Sequence, residues 1–113
     1  MPTSLRIYQL RSAEKVEPAE FDQLYRKEKE TLGDTLLRVD EITISPGDVV
    51  RKLLPREPGA RALAAVAVVR RPSGTRWRAI EPLPEGGAPR LAFAVEEYRV
   101  ERTTPSKLQG ADR

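Results

Sequence analysis

The chain has 113 residues, of which 33% are charged and 5% aromatic, and a formal net charge of +3 from 20 basic and 17 acidic side chains. That length predicts one domain, residues 1–102, around a modest aliphatic core. Mixed charges such as Glu28-Lys29-Glu30 lack the one-sided basic face of a nucleic-acid binder, and with no Cys and no His the chain has no thiolate chemistry, no disulfide, no usual zinc site and no imidazole base.

Leu5-Arg6-Ile7-Tyr8-Gln9-Leu10 sets Leu5 and Ile7 against Arg6 and Tyr8 and predicts a strand. Met1-Pro2-Thr3 leads straight into it, so no secretory leader is expected. No apolar run approaches the roughly 20 residues of a membrane helix, so the chain as given is expected to be soluble. After a polar loop, Pro18 suits a first helical turn, where its missing N–H costs nothing. Phe21, Leu24, Tyr25, Glu28 and Leu32 then recur at helical spacing, which predicts a helix over about 18–33. Glu28 falls at the margin of the apolar stripe, and Gly33 suits the residue that ends a helix. This helix reads as structural, packing Phe21, Leu24 and Leu32 onto a sheet.

Leu36 to Ile44 reads as a strand whose apolar phase switches between Val39 and Ile42, so a bulge is expected near Asp40-Glu41. Ser45-Pro46-Gly47-Asp48 is a tight turn, Val49 to Leu54 its return strand and Pro55 to Gly59 a loop. Arg61 to Val69 is the most apolar run. Its alanines also suit a helix, but its length, its valines and the turn signals on both sides favour a central strand, with small alanines under the helix. Arg71-Pro72-Ser73-Gly74-Thr75 is a hairpin turn into a strand over 76–80. Glu81 to Pro89 is irregular. Leu91, Phe93 and Val95, then Tyr98 and Val100, form the last strands, and 103–113 is a frayed tail. The sum is a mainly β sandwich of about seven short strands with a helical insertion after the first. Phe21, Leu24, Val66, Trp77 and Phe93 are its expected core anchors. Trp77, the only tryptophan, should share a face with Ala79, with Arg76 and Arg78 opposite.

No residue set suggests catalysis. Asp22, Asp34, Asp40, Glu41 and Asp48 fall in no metal-loop spacing. Glu96 and Glu97 would point to opposite faces of a strand. Pro84-Glu85-Gly86-Gly87 lacks the lysine of a phosphate loop, and no serine has a nucleophile-elbow context. The expectation is no enzyme, no metal and no cofactor.

Several ordered pieces carry a resemblance: the Leu5–Leu10 strand, Phe21-Asp22-Gln23-Leu24-Tyr25, Leu32-Gly33-Asp34-Thr35-Leu36-Leu37, Pro46-Gly47, and Arg76-Trp77-Arg78-Ala79-Ile80-Glu81-Pro82. Together they cover most of Leu5 to Val100 and resemble the TssJ (SciN/VasD-type) lipoproteins of bacterial type VI secretion. The resemblance implies a transthyretin-like sandwich with a helical insert. It implies a non-enzymatic scaffold that is periplasmic, at the inner face of the outer membrane. There it would be tethered by an N-terminal lipid and hold the periplasmic part of TssM, the inner-membrane partner. This chain has neither the family's lipid-carrying Cys nor a segment matching the family's first strand and the loop after it, which takes part in docking TssM. An exposed edge prone to self-association is therefore expected.

Alternate connections of a sandwich share one tip. The start of the Leu5 strand, the turn at Ser45–Asp48 and the hairpin at Arg71–Thr75 should meet there. Pro46, Gly47, Asp48, Arg71, Ser73 and Arg76 are thus the candidate partner contacts, beside the plain reading that they are ordinary turns. A second reading is a transthyretin-like small-ligand carrier or generic periplasmic binding module, which an apolar pocket lined by Leu63, Val66, Phe93 and Tyr98 would favour. A third is an anion or nucleic-acid site at Arg70, Arg71, Arg76 and Arg78, marked by steep salt dependence.

Overall fold

The computed structural model describes residues 3–45, 47–68, 77–87, 89–96 and 99–104. Within these residues the order is β1 (Thr3–Leu10), α1 (Phe21–Leu32), a 3₁₀ turn (Gly33–Thr35), β2 (Leu36–Ile44), β3 (Ala62–Ala67), β4 (Arg78–Pro82), β5 (Ala92–Glu96) and β6 (Arg99–Thr103). Six strands are described where about seven are expected. The difference lies at Val49–Leu54, which pairs with no strand among the described residues. The hairpin at Arg71–Thr75, the residue Tyr98 and the tail from 105 lie outside the described residues.

Four strands form one antiparallel sheet in the order β2-β1-β3-β4, and β5 and β6 form a second. Period-2 alternation sorts side chains to the two faces of the larger sheet. Tyr8, Leu10, Ala62, Ala64, Val66 and Ile80 join Leu24, Leu32 and Trp77 under the helix. Leu5, Ile7, Leu63, Ala65, Ala67 and Ala79 meet Phe93, Val95 and Val100 of the second sheet. The molecule therefore has three layers: helix, four strands, two strands. The double-sided burial of β3 explains its unbroken apolar run. Its alanines at 62 and 64 let the helix approach.

The apolar phase of β2 has a different cause from the expected one. Pairing with β1 runs in step from Thr3↔Ile44 to Gln9↔Arg38, then jumps to Leu10↔Leu36. The extra residue is Leu37, and Asp40-Glu41 is regular. Leu36 can thus pack on the helix side while Ile42 packs on the other. Arg38 and Asp40 share the face of Ile42 and bond each other through two N–H···O contacts of 2.7 and 3.1 Å. Val39 is exposed.

The helix begins at Phe21 rather than Pro18, because residues 14–18 form a turn of their own. The Gln23 side chain accepts the Glu20 N–H at 2.8 Å, half of a capping box. Lys27 leaves helical geometry at φ −134° and ψ 47°, and the Thr31 hydroxyl donates to the Gln23 carbonyl at 3.1 Å across that break. A side chain inserted into the ladder is a recognised cause of a kink. Gly33 ends the helix at φ 55°, a positive value that other residues rarely adopt, and its N–H reaches the Lys29 carbonyl. Among the described residues no helix is long and apolar enough to cross a membrane.

Candidate partner interface

The register fixes which loops share a tip. Thr3 pairs with Ile44, Leu5 with Ala67, and Val66 with Arg78. The Val68 N–H reaches the Ser4 carbonyl at 2.9 Å, and the Ala67 N–H reaches the Trp77 carbonyl at 2.8 Å. The end of β2, the end of β3 and the entry to β4 therefore all lie at the start of β1. Gly47 and Asp48 follow β2 at this tip. The Asp48 N–H closes the turn on the Ser45 carbonyl at 3.0 Å, and both residues are exposed. Nearby, the Ser4 hydroxyl donates to a Glu41 carboxylate oxygen. Of the other four candidates, Pro46, Arg71, Ser73 and Arg76 lie outside the described residues. The opposite end gathers Leu10, Leu36, Ala62 and Pro82, with the loops at 55–60 and 83–87.

Most of the carboxylates singled out above are held by cations. Asp22 takes Arg26 at 3.0 Å, one helical turn on, and Asp34 takes Lys15 at 3.1 Å. The hydrogen bond from Lys15 holds the Asp34 carboxyl below its ordinary range. Asp40 takes Arg38, which also lies 3.6 Å from Glu57. These are structural and surface pairs, each worth little on its own.

Trp77 is buried at 3% exposure, and its ring stands edge-on to Phe21 at 5.4 Å. It packs on the helix side with Ile80, whereas Ala79 packs on the opposite core. The expected pairing of Trp77 with Ala79 is thus corrected: Trp77 precedes β4, so strand alternation does not reach it. Arg78 also lies on the Trp side. Its guanidinium sits 5.5 Å from the Trp77 ring centroid and donates to the Glu17 carbonyl at 2.8 Å. That placement seals the core under the helix, and burial pulls the Arg78 pKa down.

Two polar residues that the pattern under-reads fix the outer elements. Gln9 is buried in phase with Leu5 and Ile7. Its amide donates to the Pro55 carbonyl and accepts the Glu57 N–H, both at 2.8 Å, clamping the loop over β1. A lone Gln in an apolar phase was the available signal. Glu28, at the margin of the helix stripe, accepts the Tyr8 hydroxyl at 2.7 Å and Arg6 at 3.2 Å. Tyr25, by contrast, is exposed; it stacks on Phe21 at 5.6 Å and under Arg6 at 5.1 Å.

The Tyr8 hydroxyl has its pKa pushed up to about 12, chiefly by burial. The folded state thus favours the neutral phenol. Its contribution is full below the ordinary value near 10 and is lost as pH rises from about 10 toward 12, roughly 2 kcal/mol in all. Urea unfolding at pH 8, 10 and 11 should show that loss, and Tyr8→Phe should flatten it. An unchanged alkaline slope in Tyr8→Phe would remove Tyr8 as the cause.

Between the layers, on the side of β1 and β2, lies a groove of about 370 Å³. Leu5, Ile7, Ile42 and Ile44 line it, with Phe93 and Val95. Leu63 also reaches it, whereas Val66 packs under the helix, on the other face of the sheet. Lys52, Leu53 and Arg56 border it as well.

The chain is a small β-sandwich with a helix laid on its larger sheet and with Gly47 and Asp48 exposed at one tip. The chain belongs to the type VI secretion lipoprotein family (VasD, EvfM, TssJ), whose pattern it matches over residues 1–98. No curated protein sequence matches it. Among solved structures it resembles the type VI lipoprotein TssJ1 from Pseudomonas aeruginosa, with a TM-score of 0.82 and 24% identity over 90% of this chain and 78% of that one. It also resembles Serratia marcescens Lip, a membrane-bound component of the type VI secretion system, with a TM-score of 0.68 and 33% identity over 74% of this chain and 60% of that one. A chain in a structure of the "T6SS protein TssM C-terminal domain" from EAEC shares the fold, with a TM-score of 0.77 and 17% identity over 92% of this chain and 81% of that one.

Proposed function

We propose that this chain is a non-enzymatic scaffold of a type VI secretion membrane complex, which holds the periplasmic C-terminal region of a TssM-type protein through the loops at the Thr3 tip. Family membership over residues 1–98 is the observation that carries this reading. The convergence of three strand ends beside exposed Gly47 and Asp48 supports the choice of tip. In this reading the complex is tethered to the outer membrane by a lipid. Residues 1–113 contain no cysteine, so that lipid is not carried on a cysteine among them. The work is recognition by a rigid body, with affinity from a standard-size interface.

The test is interferometry against the C-terminal periplasmic region of the TssM-like protein of the same genome. Saturable binding is expected, weakened about five- to tenfold by Asp48→Lys or Arg71→Glu, the loss of a specific charged contact. Absence of saturation at micromolar concentrations, both for this chain and for a longer one that carries the family's upstream strand and loop, would remove the scaffold reading. Full binding by both variants would move the interface away from this tip. The small-ligand reading has the interlayer groove in its favour.

A further inference from the structure

The larger sheet has two outer strands, β4 and β2, and they are finished differently. In β4 the Trp77 carbonyl accepts the Ala67 N–H and the Leu83 N–H reaches the Arg61 carbonyl, so odd-numbered positions bond inward. Arg78, Ile80 and Pro82 then face outward. Pro82 has no N–H to offer, and the Arg78 side chain turns back onto the Glu17 carbonyl. The edge of β4 is short and blunted. The edge of β2 is neither. The Val68 N–H bonds the Ser4 carbonyl, so even-numbered residues of β1 bond β3 and odd-numbered ones bond β2. Thr3, Leu5, Ile7 and Gln9 oppose Ile44, Ile42, Asp40 and Arg38. The N–H and C=O groups of Val39, Glu41 and Thr43 therefore point outward, and no backbone bond among the described residues takes them. Their side chains lie on the helix side of the sheet, where the core under the helix takes only Leu36 from β2, and all three are exposed. This strand has nine residues, with neither Pro nor Gly to blunt it.

Glu41, at the centre of the exposed row, sets the charge of whatever pairs there. Its register partner Arg6 gives Nη1 to Glu28 at 3.2 Å and lies over the Tyr25 ring. Glu41 accepts the Ser4 hydroxyl and forms no ion pair among the described residues. Two carboxylates thus stand around one guanidinium, and a cation directly opposite Glu41 on an added strand would balance them. A second copy of β2 is a poor source of it. Antiparallel pairing about Asp40, which uses the whole strand, sets the two Asp40 side chains against each other. Pairing about Glu41 does the same to the two Glu41 side chains. Like charges directly opposite are destabilising.

We propose that the outer edge of β2 receives an extended strand of another protein, with Lys or Arg opposite Glu41. Main-chain bonds to Val39, Glu41 and Thr43 give the affinity, and alternate side chains give the specificity. On the helix side the strand carries the cation between two β-branched residues, which meet Val39 and Thr43. On the other face it is apolar where it meets Ile42. Arg38 and Asp40 on that face already neutralise each other. This edge runs along the side of the sheet, goes beyond the tip contact proposed above and does not depend on it.

The probe is a seven-residue strand, Val-Thr-Val-Lys-Thr-Val-Thr, whose central Lys meets Glu41 in either strand direction. Thr3 lies beside the end of β2, so the probe is joined upstream of Met1 by a flexible Gly/Ser linker, which brings it to roughly millimolar effective concentration. One control carries Pro in place of the central Lys, another Glu. Amide hydrogen exchange is read at Val39, Glu41 and Thr43, and at Phe93 and Val95 of β5. With the Lys probe the three β2 amides should exchange about tenfold more slowly, the factor set by an effective concentration near ten times Kd. The Pro control should leave them unchanged, and the Glu control should protect them at least about threefold less, as like charges oppose. Glu41→Lys, at an exposed position, should keep the fold and reverse the preference between the Lys and Glu probes. Equal exchange with the Lys probe and its Pro control overturns the proposal. Equal protection by the Lys and Glu probes overturns the assignment to a basic strand. Slowing at Phe93 and Val95 in place of β2 puts the strand in the interlayer groove and overturns it too. So does protection in the unfused chain that grows with its own concentration, which assigns the edge to a second copy. None of these readouts involves the TssM-type domain, so failure here and failure of the tip reading are distinguishable.

Discussion

Trp77→Ala is expected to cost about 3–5 kcal/mol, the usual range for deleting a buried aromatic. The ring is 3% exposed and belongs to the core that also holds Leu24, Leu32, Ala64 and Val66. It stands edge-on to Phe21, a geometry that adds a further increment beyond area burial. Its loss also strips Arg78 of the face it lies over. The same cluster includes Ala62 and Ala64 of the sheet, whose short side chains cannot reach into the cavity. Domains of this size hold only about 5–15 kcal/mol of stability, so the variant should be largely unfolded or close to it at 37 °C. Urea unfolding followed by far-UV circular dichroism is the measurement, since the substitution removes the tryptophan fluorescence. Trp77→Phe should lose clearly less. A variant within about 1 kcal/mol of the parent would show that the ring is not a core anchor.

The layered fold was legible wherever apolar periodicity ran unopposed. Leu5 and Ile7 against Tyr8 and Leu10, and the doubly apolar run at Ala62–Ala67, carry the larger sheet directly. Reading failed where polar side chains occupy interior-facing positions. Arg38 and Asp40 neutralise each other on the face of Ile42, so the apolar count made that face look as if it stopped at Asp40. The true irregularity at Leu37 had no such marker. It became visible only in the pairing with Gln9 and Leu10. Val49–Leu54 has strand composition yet pairs with no strand among the described residues, because strand formation needs an available edge in register as well as propensity. Arg78 misled in the same way. A guanidinium placed over an indole counts as polar in a pattern and as core lid in the fold.

The candidate site was legible as topology more than as chemistry. Alternate connections of an antiparallel sheet must share a tip, so the strand ends around Gly47 and Asp48 follow from strand order alone. The groove was not legible. It arises from the difference between four strands and two, and strand counting treats Val49–Leu54 as one of the strands that would fill it.

Leu24→Ala should destabilise the protein by about 2–5 kcal/mol. Leu24 is fully buried on the helix side of the larger sheet. Helix α1 has 12 residues and is interrupted at Lys27, below the length at which isolated helices persist in water. It therefore depends on docking through Leu24, Leu32 and the half-buried Phe21. Polar contacts add to that docking, since Glu28 reaches Tyr8 and Arg6 across the same interface. Loss of the Leu24 side chain should raise amide exchange throughout α1, and urea unfolding should report the energy. Leu24 and Trp77 share one core, so the double variant should fall short of or exceed the sum of the singles by more than about 0.5 kcal/mol. The helix lies over one face of the sheet, and the candidate contacts Gly47 and Asp48 lie at the Thr3 tip. Below its melting temperature, Leu24→Ala should therefore bind the TssM-type domain within about twofold of the parent. A binding loss as large as that of Asp48→Lys would place the partner on the helix instead.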